Sequence, residues 1–391
     1  MKRFGWIFLL VLAASPVWAA KNLTVQQLRE LLQSDKQANK ADEAVATDLK
    51  QVVLTEQLSR AVMNGLAEFL PGAHSTEQIY VLEARSALLP PPAAELPATP
   101  APDAATQTAI LNKAVDYATK TYGQLPALTA TRTTIRFQDN VEAAAASSGM
   151  HSGATDSAAS DPNLVNASQF VHYINSTESK IQIQGGVEQN PLAKDKTQWG
   201  ANGYIALIAN GPALASVISE AQATGKITFL RWEPVNGKAA AVYSFAVDKK
   251  KTHYAVNYCC FPDVDQAGML SYSSRSQGGA PQAHGNLQTT TSWHNYKATV
   301  PYHGEIFVDP DTGIVVRLVT QAEFKNTEVV HQEDQRIDFA PVTVGSKTLV
   351  LPVKTVVNTE VVPNGDSQAA GKFTTRHTLF TSEYKDYQAG S

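Results

Sequence analysis

Residues 303–324 read HGEIFVDPDTGIVVRLVTQAEF, and how this stretch is read decides the fold. Glu305, Phe307, Ile314, Val316 and Leu318 alternate around Asp309-Pro310-Asp311-Thr312-Gly313, as residues of two strands joined by a turn should. Pro310 presets φ for a type I turn, the Asp309 carboxylate can cap it, and Gly313 supplies the positive φ that closes a bulged hairpin. Asp309-x-Asp311-x-Gly313 also looks like the front of a calcium loop, but the later ligands, including a bidentate Glu, are missing. The stretch is therefore expected to be a β-hairpin with no metal.

Working outward, almost everything from Thr299 to the C-terminus reads as strand: 305–308, 314–320, 335–339, 347–358 and 373–387. Upstream, Ile227 to Glu233 and Ala239 to Val247 form a second hairpin turned by Asn236-Gly237. Tyr254 to Phe261 is a further strand. Leu128 to Phe137, LTATRTTIRF, is β-branched and alternating, and shorter strands are expected at 170–174 and 180–185 with a turn at 175–178. One amphipathic helix interrupts them, opened by Gly211-Pro212, lined by Leu214, Val217, Ile218 and Ala221, and closed by Gly225. Residues 142–160 are Ala, Ser and Gly with hardly a large apolar side chain, so a mobile loop is expected there, and its His151 is read as solvated.

The first part of the chain is helical. Thr24-x-x-Gln27 can form a capping box ahead of Leu28, Leu31 and Leu32. Further helices are expected through Leu49, Val52 and Val53, through Leu58 to Phe69, and from Ser75-x-x-Gln78 to Leu89. The run LLPPPAAELPATPAPD from Leu89 cannot continue a helix and is a semi-rigid linker. Another helix, Gln107 to Tyr122, follows and stops at Gly123. The expected organisation is a signal peptide at 1–20, a helical region at 21–89, a linker at 90–105, and a β domain at 106–391.

Lys2 and Arg3, the apolar run Phe4 to Ala14 and the small residues Ala19 and Ala20 have the form of a cleavable secretory signal. That apolar run is short of the about 20 residues a bilayer needs, and no later stretch qualifies, so no membrane span is expected after cleavage. No cysteine near the cleavage point suggests a lipid anchor, and the expected location is the periplasm or the medium. Losing Lys2 and Arg3 takes the net charge from −4 to −6, with the remaining basic residues scattered, which makes nucleic acid a poor partner.

The two cysteines, Cys259 and Cys260, are adjacent. Their Cα atoms must lie about 3.8 Å apart, below the disulfide range of about 4.4 to 6.8 Å, and on a strand they point to opposite faces. Two packed thiols are expected, with a strained disulfide or a metal ligand as the alternative. No Gly-x-Ser-x-Gly, His-Glu-x-x-His or phosphate loop occurs; GDSQAAGK at 365–372 has the wrong spacing for the last. His294 and His303, beside Trp293 and Tyr302, read as rim packing. No catalytic residue and no cofactor are expected.

The order helix, strand, many antiparallel strands and one inserted helix, with Ile306-Phe307-Val308-Asp309-Pro310, Thr312-Gly313 and Arg317, resembles the LolA/LppX/RseB-like periplasmic superfamily from about Gln107 onward. Over nearly its full length the chain is also similar to a group of uncharacterised exported proteins of Acidobacteria, through LTEQLSRA, LTATRTTIRF, ITFLRWE, HYAVNYCC, YHGEIFVDPDTG and FTSEYKDY. The superfamily likeness implies an α+β fold whose strongly curved antiparallel sheet, an unfinished β-barrel, wraps one or two helices. It implies a lipid or lipoprotein acyl chain in the concave face, with Phe229, Tyr243, Phe245, Tyr254 and Phe307 as the expected lining. The alternative is an envelope protein-protein interaction or sensor module with no small-molecule ligand. The two readings differ physically: in the first the five aromatic residues border a hollow, and in the second they close on one another.

Overall fold

The computed structural model describes residues 21–138, 171–189, 213–262, 272–273, 282–283, 293–325, 328, 330–361 and 376–390. The signal segment, the 142–160 loop with His151, Gly211-Pro212 and residues 365–372 lie outside them, as do the side chains of Cys259, Cys260 and His294.

The fold is α+β. Among the described residues its α-helices are α1 (Val25–Gln37), α2 (Asp42–Lys50), α3 (Arg60–Leu66), α4 (Ala73–Arg85), α5 (Ala104–Asp116) and α6 (Leu214–Thr224). Two short parallel strands, β1 (Lys21–Leu23) and β2 (Val52–Leu54), pair within the helical region. The other strands are β3 (Leu128–Gln138), β4 (His172–Gln184), β5 (Val187–Gln189), β6 (Ile227–Val235), β7 (Lys238–Val247), β8 (Ala255–Pro262), β9 (Tyr272–Ser273), β10 (Gln282–Ala283), β11 (Trp293–Thr299), β12 (Tyr302–Val308), β13 (Val315–Ala322), β14 (Val330–Val344), β15 (Lys347–Val361) and β16 (Arg376–Ala389). Ten of them form one open antiparallel sheet, in the order β5-β4-β3-β16-β15-β14-β13-β12-β7-β6, while β8 pairs with β11 and β9 with β10 outside it. The last strand thus lies beside the first long one, which joins the two ends of the β region.

The 303–324 stretch is a hairpin of β12 and β13, with Phe307 opposite Arg317 and a register shift before Val308 meets Val315. One Asp309 carboxylate oxygen accepts the backbone N–H groups of Asp311 and Thr312 at 2.9 and 3.1 Å, and Gly313 sits at φ 76°. Gly313 has a second reason to lack a side chain, since a Cβ there would come within 2.5 Å of the Lys113 Cβ on α5. The Lys113 ammonium in turn donates to the carbonyls of Pro310 and Asp311, so the turn fastens α5 to the end of the sheet.

Both faces of the sheet are covered. On one, α5 and α6 pack Ile110, Ala114, Leu214, Val217 and Ile218 against Tyr243, Phe245, Ile306, Leu318 and Phe339. On the other, Val81, Ala84 and Ala87 of and just after α4 meet Phe137, Val356 and Leu379, and Leu88 packs on Val235, Val242 and Phe307. The proline-rich linker therefore has to pass from one face to the other, and it does so around the β6 edge. There Trp232 Nε1 donates to the Pro100 carbonyl at 3.0 Å and Gln107 Nε2 to that of Pro102 at 2.7 Å. The helical region has its own core of Leu28, Leu32, Leu49, Leu58, Leu66 and Ile79.

Local signals account for much of this. Thr24 and Gln27 form the capping box, Gly225 ends α6 at φ 66°, and Asn236 and Gly237 turn the β6–β7 hairpin at φ 51° and 79°. Three expectations are corrected. Val52 and Val53 are not helical: α2 ends at Lys50, and these β-branched residues pair with β1 instead. Helix α4 begins at Ala73, and its start is capped by Asp42 of α2, whose carboxylate accepts from His74 N, Ser75 N and Ser75 Oγ. Residues 175–178 make no turn, because β4 pairs continuously along β3, with Glu178 opposite Thr133 and Thr177 opposite Thr134.

Candidate functional site

Alternation along the strands sends every second side chain to the α5/α6 face. On β7 these are Ala241, Tyr243, Phe245 and Val247, and on β12 Tyr302, Ile306 and Val308. Four of the five expected lining residues, Phe229, Tyr243, Phe245 and Tyr254, belong to this face, where Phe229 packs on Tyr243 and both Phe245 and Tyr254 pack on Tyr302. Phe229 meets Trp232 and Tyr243 at 5.5 and 5.8 Å between centroids; Tyr302 meets Phe245 at 5.8 Å and Tyr254 at 5.4 Å. All are edge contacts of the kind worth about 0.5–1.5 kcal/mol beyond burial. The fifth, Phe307, occupies the opposite face, where it packs with Val235, Val242 and Val319 between the guanidinia of Arg231 and Arg317, 5.9 and 5.0 Å from its ring.

Polar groups are set into the rim of the aromatic core. Glu220 of α6 is buried; its Oε1 accepts the His253 N–H at 3.1 Å and lies 3.0 Å from His253 Nδ1, while its Oε2 accepts the Tyr302 hydroxyl at 2.9 Å. Burial and the neighbouring Glu220 both raise the Tyr302 pKa, so the phenol stays protonated and donates. The Tyr254 hydroxyl donates to Glu333 of β14 at 2.9 Å. Burial pushes the Glu333 carboxyl up to about 7, opposed by that hydrogen bond and helped by Asp334 next to it. The chain Glu220–Tyr302–Tyr254–Glu333 ties α6, β12, the root of β8 and β14 together, and its last member changes charge near neutral pH.

A small cavity opens on the same face toward β5. It has a volume of about 50 Å³ and lies between Tyr122, the start of α6 and strands β13 to β16. Its lining mixes apolar Leu214, Leu318, Ile337 and Phe339 with polar Glu188, Gln335, Thr355 and Tyr384. Gly186 lets the β4–β5 turn lie on the Tyr122 ring, since a Cβ there would come within 2.3 Å of Tyr122 Cε1, and the Tyr122 hydroxyl donates to the Gly186 carbonyl at 3.1 Å. Glu188 is paired with Arg132 of β3, and the two side chains are 9% and 8% exposed. Glu188 Oε2 and Arg132 Nε are buried without a hydrogen-bond partner. Burial raises the Glu188 carboxyl above the usual range, against the pull of Arg132.

The α4 face differs. A single cross-strand row runs from Arg231 through Val242, Phe307, Arg317, Asp338 and Lys354 to Glu383. Arg231 holds Glu305 with two prongs at 2.9 and 2.8 Å and Glu233 at 2.6 Å. Arg317 bridges Glu233 at 3.2 Å and Asp338 at 2.6 Å, and Arg336 adds a contact to Asp338 at 3.0 Å. Burial alone would raise Asp338, but the two guanidinia hold it down at about 2. The helical region joins this network through Glu83 on Lys354, Arg60 on Glu383 and the Ala87 carbonyl on Arg336.

The charged and polar residues of both faces were not among the expected site residues. The signal for some was present: in LTATRTTIRF, Arg132 and Arg136 fall on the same alternate positions as Leu128 and Ala130, which places two guanidinia on a covered face. His303 pairs with Glu323 at 3.1 Å on the sheet's rim. Known family models, curated proteins and solved structures give no match to this chain.

Proposed function

We propose that the protein is an exported, non-catalytic interaction or sensor module of the cell envelope, built on a sheet that bends as an unfinished barrel around α5 and α6. The mature chain starts near Ala20 or Lys21 and works in the periplasm or the medium. One observation supports this reading over acyl-chain carriage. Phe229, Tyr243, Phe245, Tyr254 and Tyr302 fill the space against the helices by packing edge to face, and Tyr243, Phe245, Tyr254 and Tyr302 are each at most 3% exposed. A carrier would need a pocket of about 300 Å³ or more for a ligand of ordinary size. The sheet then serves as scaffold, and the helical region fixed to it by Glu83 and Arg60 presents the partner-binding surface.

Mass spectrometry of an organic extract of the protein, purified without detergent from the envelope fraction, tests the reading. The expected result is no acyl lipid in stoichiometric amount. One acyl lipid per chain would overturn it in favour of lipid binding in the sheet.

A further inference from the structure

We propose that the ribbon of β8 and β11 is a flap latched to the start of β14 through Glu333, closed in acid and released toward alkaline pH. This goes beyond the module reading and does not rest on it.

The ribbon stands outside the ten-stranded sheet, and among the described strands β8 and β11 pair only with each other. A two-stranded ribbon is marginally stable by itself, so its position depends on what its inner face touches. That face carries Tyr254 just before β8, Val256 on it, Tyr296 and Ala298 on β11 and Val300 just after it, all packed with the α5/α6 core, whereas Lys297 and Thr299 in between are exposed. The Val300 N–H closes the root by donating to the Tyr254 carbonyl at 3.1 Å. The Tyr254 ring lies against Tyr302 and the Tyr296 ring against Phe324, and both phenols end on a carboxyl group: Tyr254 donates to Glu333 at 2.9 Å and Tyr296 to Glu328.

Glu333 has no cation to balance a charge. Tyr254 and Tyr296 approach it from the ribbon, and Tyr302 of β12, bonded to Glu220 of α6, packs on Tyr254. Glu328 lies on the link before β14, and Asp334 follows on β14 with His303 near it. Thr359 stands opposite on β15, and His331 falls in the register shift at the start of β14. Of these groups only the Tyr254 hydroxyl favours the carboxylate; burial and Asp334 oppose it and hold the carboxyl at about 7. A charged Glu333 calls for water, which the closed ribbon excludes and an open one admits. Glu333 therefore favours the closed form fully below about 4.5, and that advantage is lost as pH rises through about 7, with a change of up to about 300-fold in the ratio of closed to open.

Hydrogen exchange of the full mature chain, followed by mass spectrometry from about pH 4.5 to 8 and corrected for the intrinsic rate at each pH, tests the flap. Protection of the amides at 255–258 and 296–299 is expected to fall by about tenfold to 300-fold across that range. It should also be insensitive to low urea, as a local opening is, while protection in β14 and β15 falls as urea is added. E333Q cannot titrate and should lose the pH-dependent fall. Y254F removes the one hydrogen bond that holds the carboxyl down, so the midpoint of the fall should move to higher pH. Ribbon protection that is the same at both ends of the range, or a fall that survives in E333Q, would overturn the proposal. So would a urea dependence as steep as that of β15, because the ribbon would then exchange only when the whole protein unfolds. Should E333Q not fold, Y254F decides: an upward midpoint supports the flap, and an unmoved or lower one overturns it.

Discussion

The two faces of the ten-stranded sheet are made from alternate residues of the same strands, yet they are held by different physics. Against α5 and α6 the contacts are edge-packed rings and aliphatic side chains, and the rim carboxylates Glu220 and Glu333 are each tied to a tyrosine hydroxyl. Against α4 the strands carry Arg317, Asp338, Lys354 and Glu383 in alternating charge along one row, and most partners sit on neighbouring strands rather than on the helices. The difference fixes the register of the sheet. A slip of one residue in β13 would drive Arg317 into the aromatic core and Leu318 into the ion pairs, so each face excludes the other's side chains. Arg317 and Asp338 are satisfied within the sheet, whereas Lys354 and Glu383 take their partners, Glu83 and Arg60, from the helical region.

The comparison would be sharpened first by Phe339→Ala. Phe339 is 2% exposed and meets the Tyr122 ring edge-on at 5.6 Å, and its removal leaves a void that α5 and α6 cannot collapse into. A loss of about 3–5 kcal/mol is expected from urea unfolding. Asp338→Asn on the other face should cost less, about 1–3 kcal/mol, because Arg317 and Arg336 keep a neutral acceptor and Arg317 retains Glu233. Equal losses would mean that the two faces are not distinct in kind. Asp338 carries its own acid signature. With a carboxyl held at about 2 in the fold against 3.8 normally, its contribution is present above pH 3.8 and is lost as pH falls toward 2. Acid unfolding of the asparagine variant should lack that limb.

How far the sequence disclosed this arrangement depends on how local each cause is. The 309–313 turn, the Thr24 capping box, Gly225 and Asn236-Gly237 are decided within a few residues of themselves, and each was legible. The cap of α4 was not, because Asp42 is donated from another helix. Nor was the continuity of β4, where pairing with β3 overrides the polar run at 175–178. Strand β12 shows why the face of Phe307 was hidden. Ile306, Phe307 and Val308 are all buried, since both faces of the sheet are covered, and an every-second-residue pattern vanishes where there is no exposed side to mark it. Glu188 and Arg132 are 56 residues apart and meet only through the β3–β4–β5 register.

The last expected effect concerns the proton on Glu333. Its carboxyl is raised from 4.5 to about 7 by burial, so the folded state binds this proton more tightly than the unfolded chain does. Between those values folding takes up a proton, and stability must fall as pH rises; the contribution is complete below about 4.5 and gone above about 7. Glu333→Gln keeps an acceptor for the Tyr254 hydroxyl but cannot titrate. Its urea midpoint, measured from pH 4.5 to 7.5, should lack the downward slope of the unaltered protein while converging with it at the acid end. A slope that survives the substitution would place the titrating group elsewhere, with Asp334 the next candidate because burial raises its carboxyl too. A slope that disappears would show that the α5/α6 face, greasy as it is, carries a charge that switches near neutrality, whereas Asp338 on the ion-paired face keeps its charge down to strong acid.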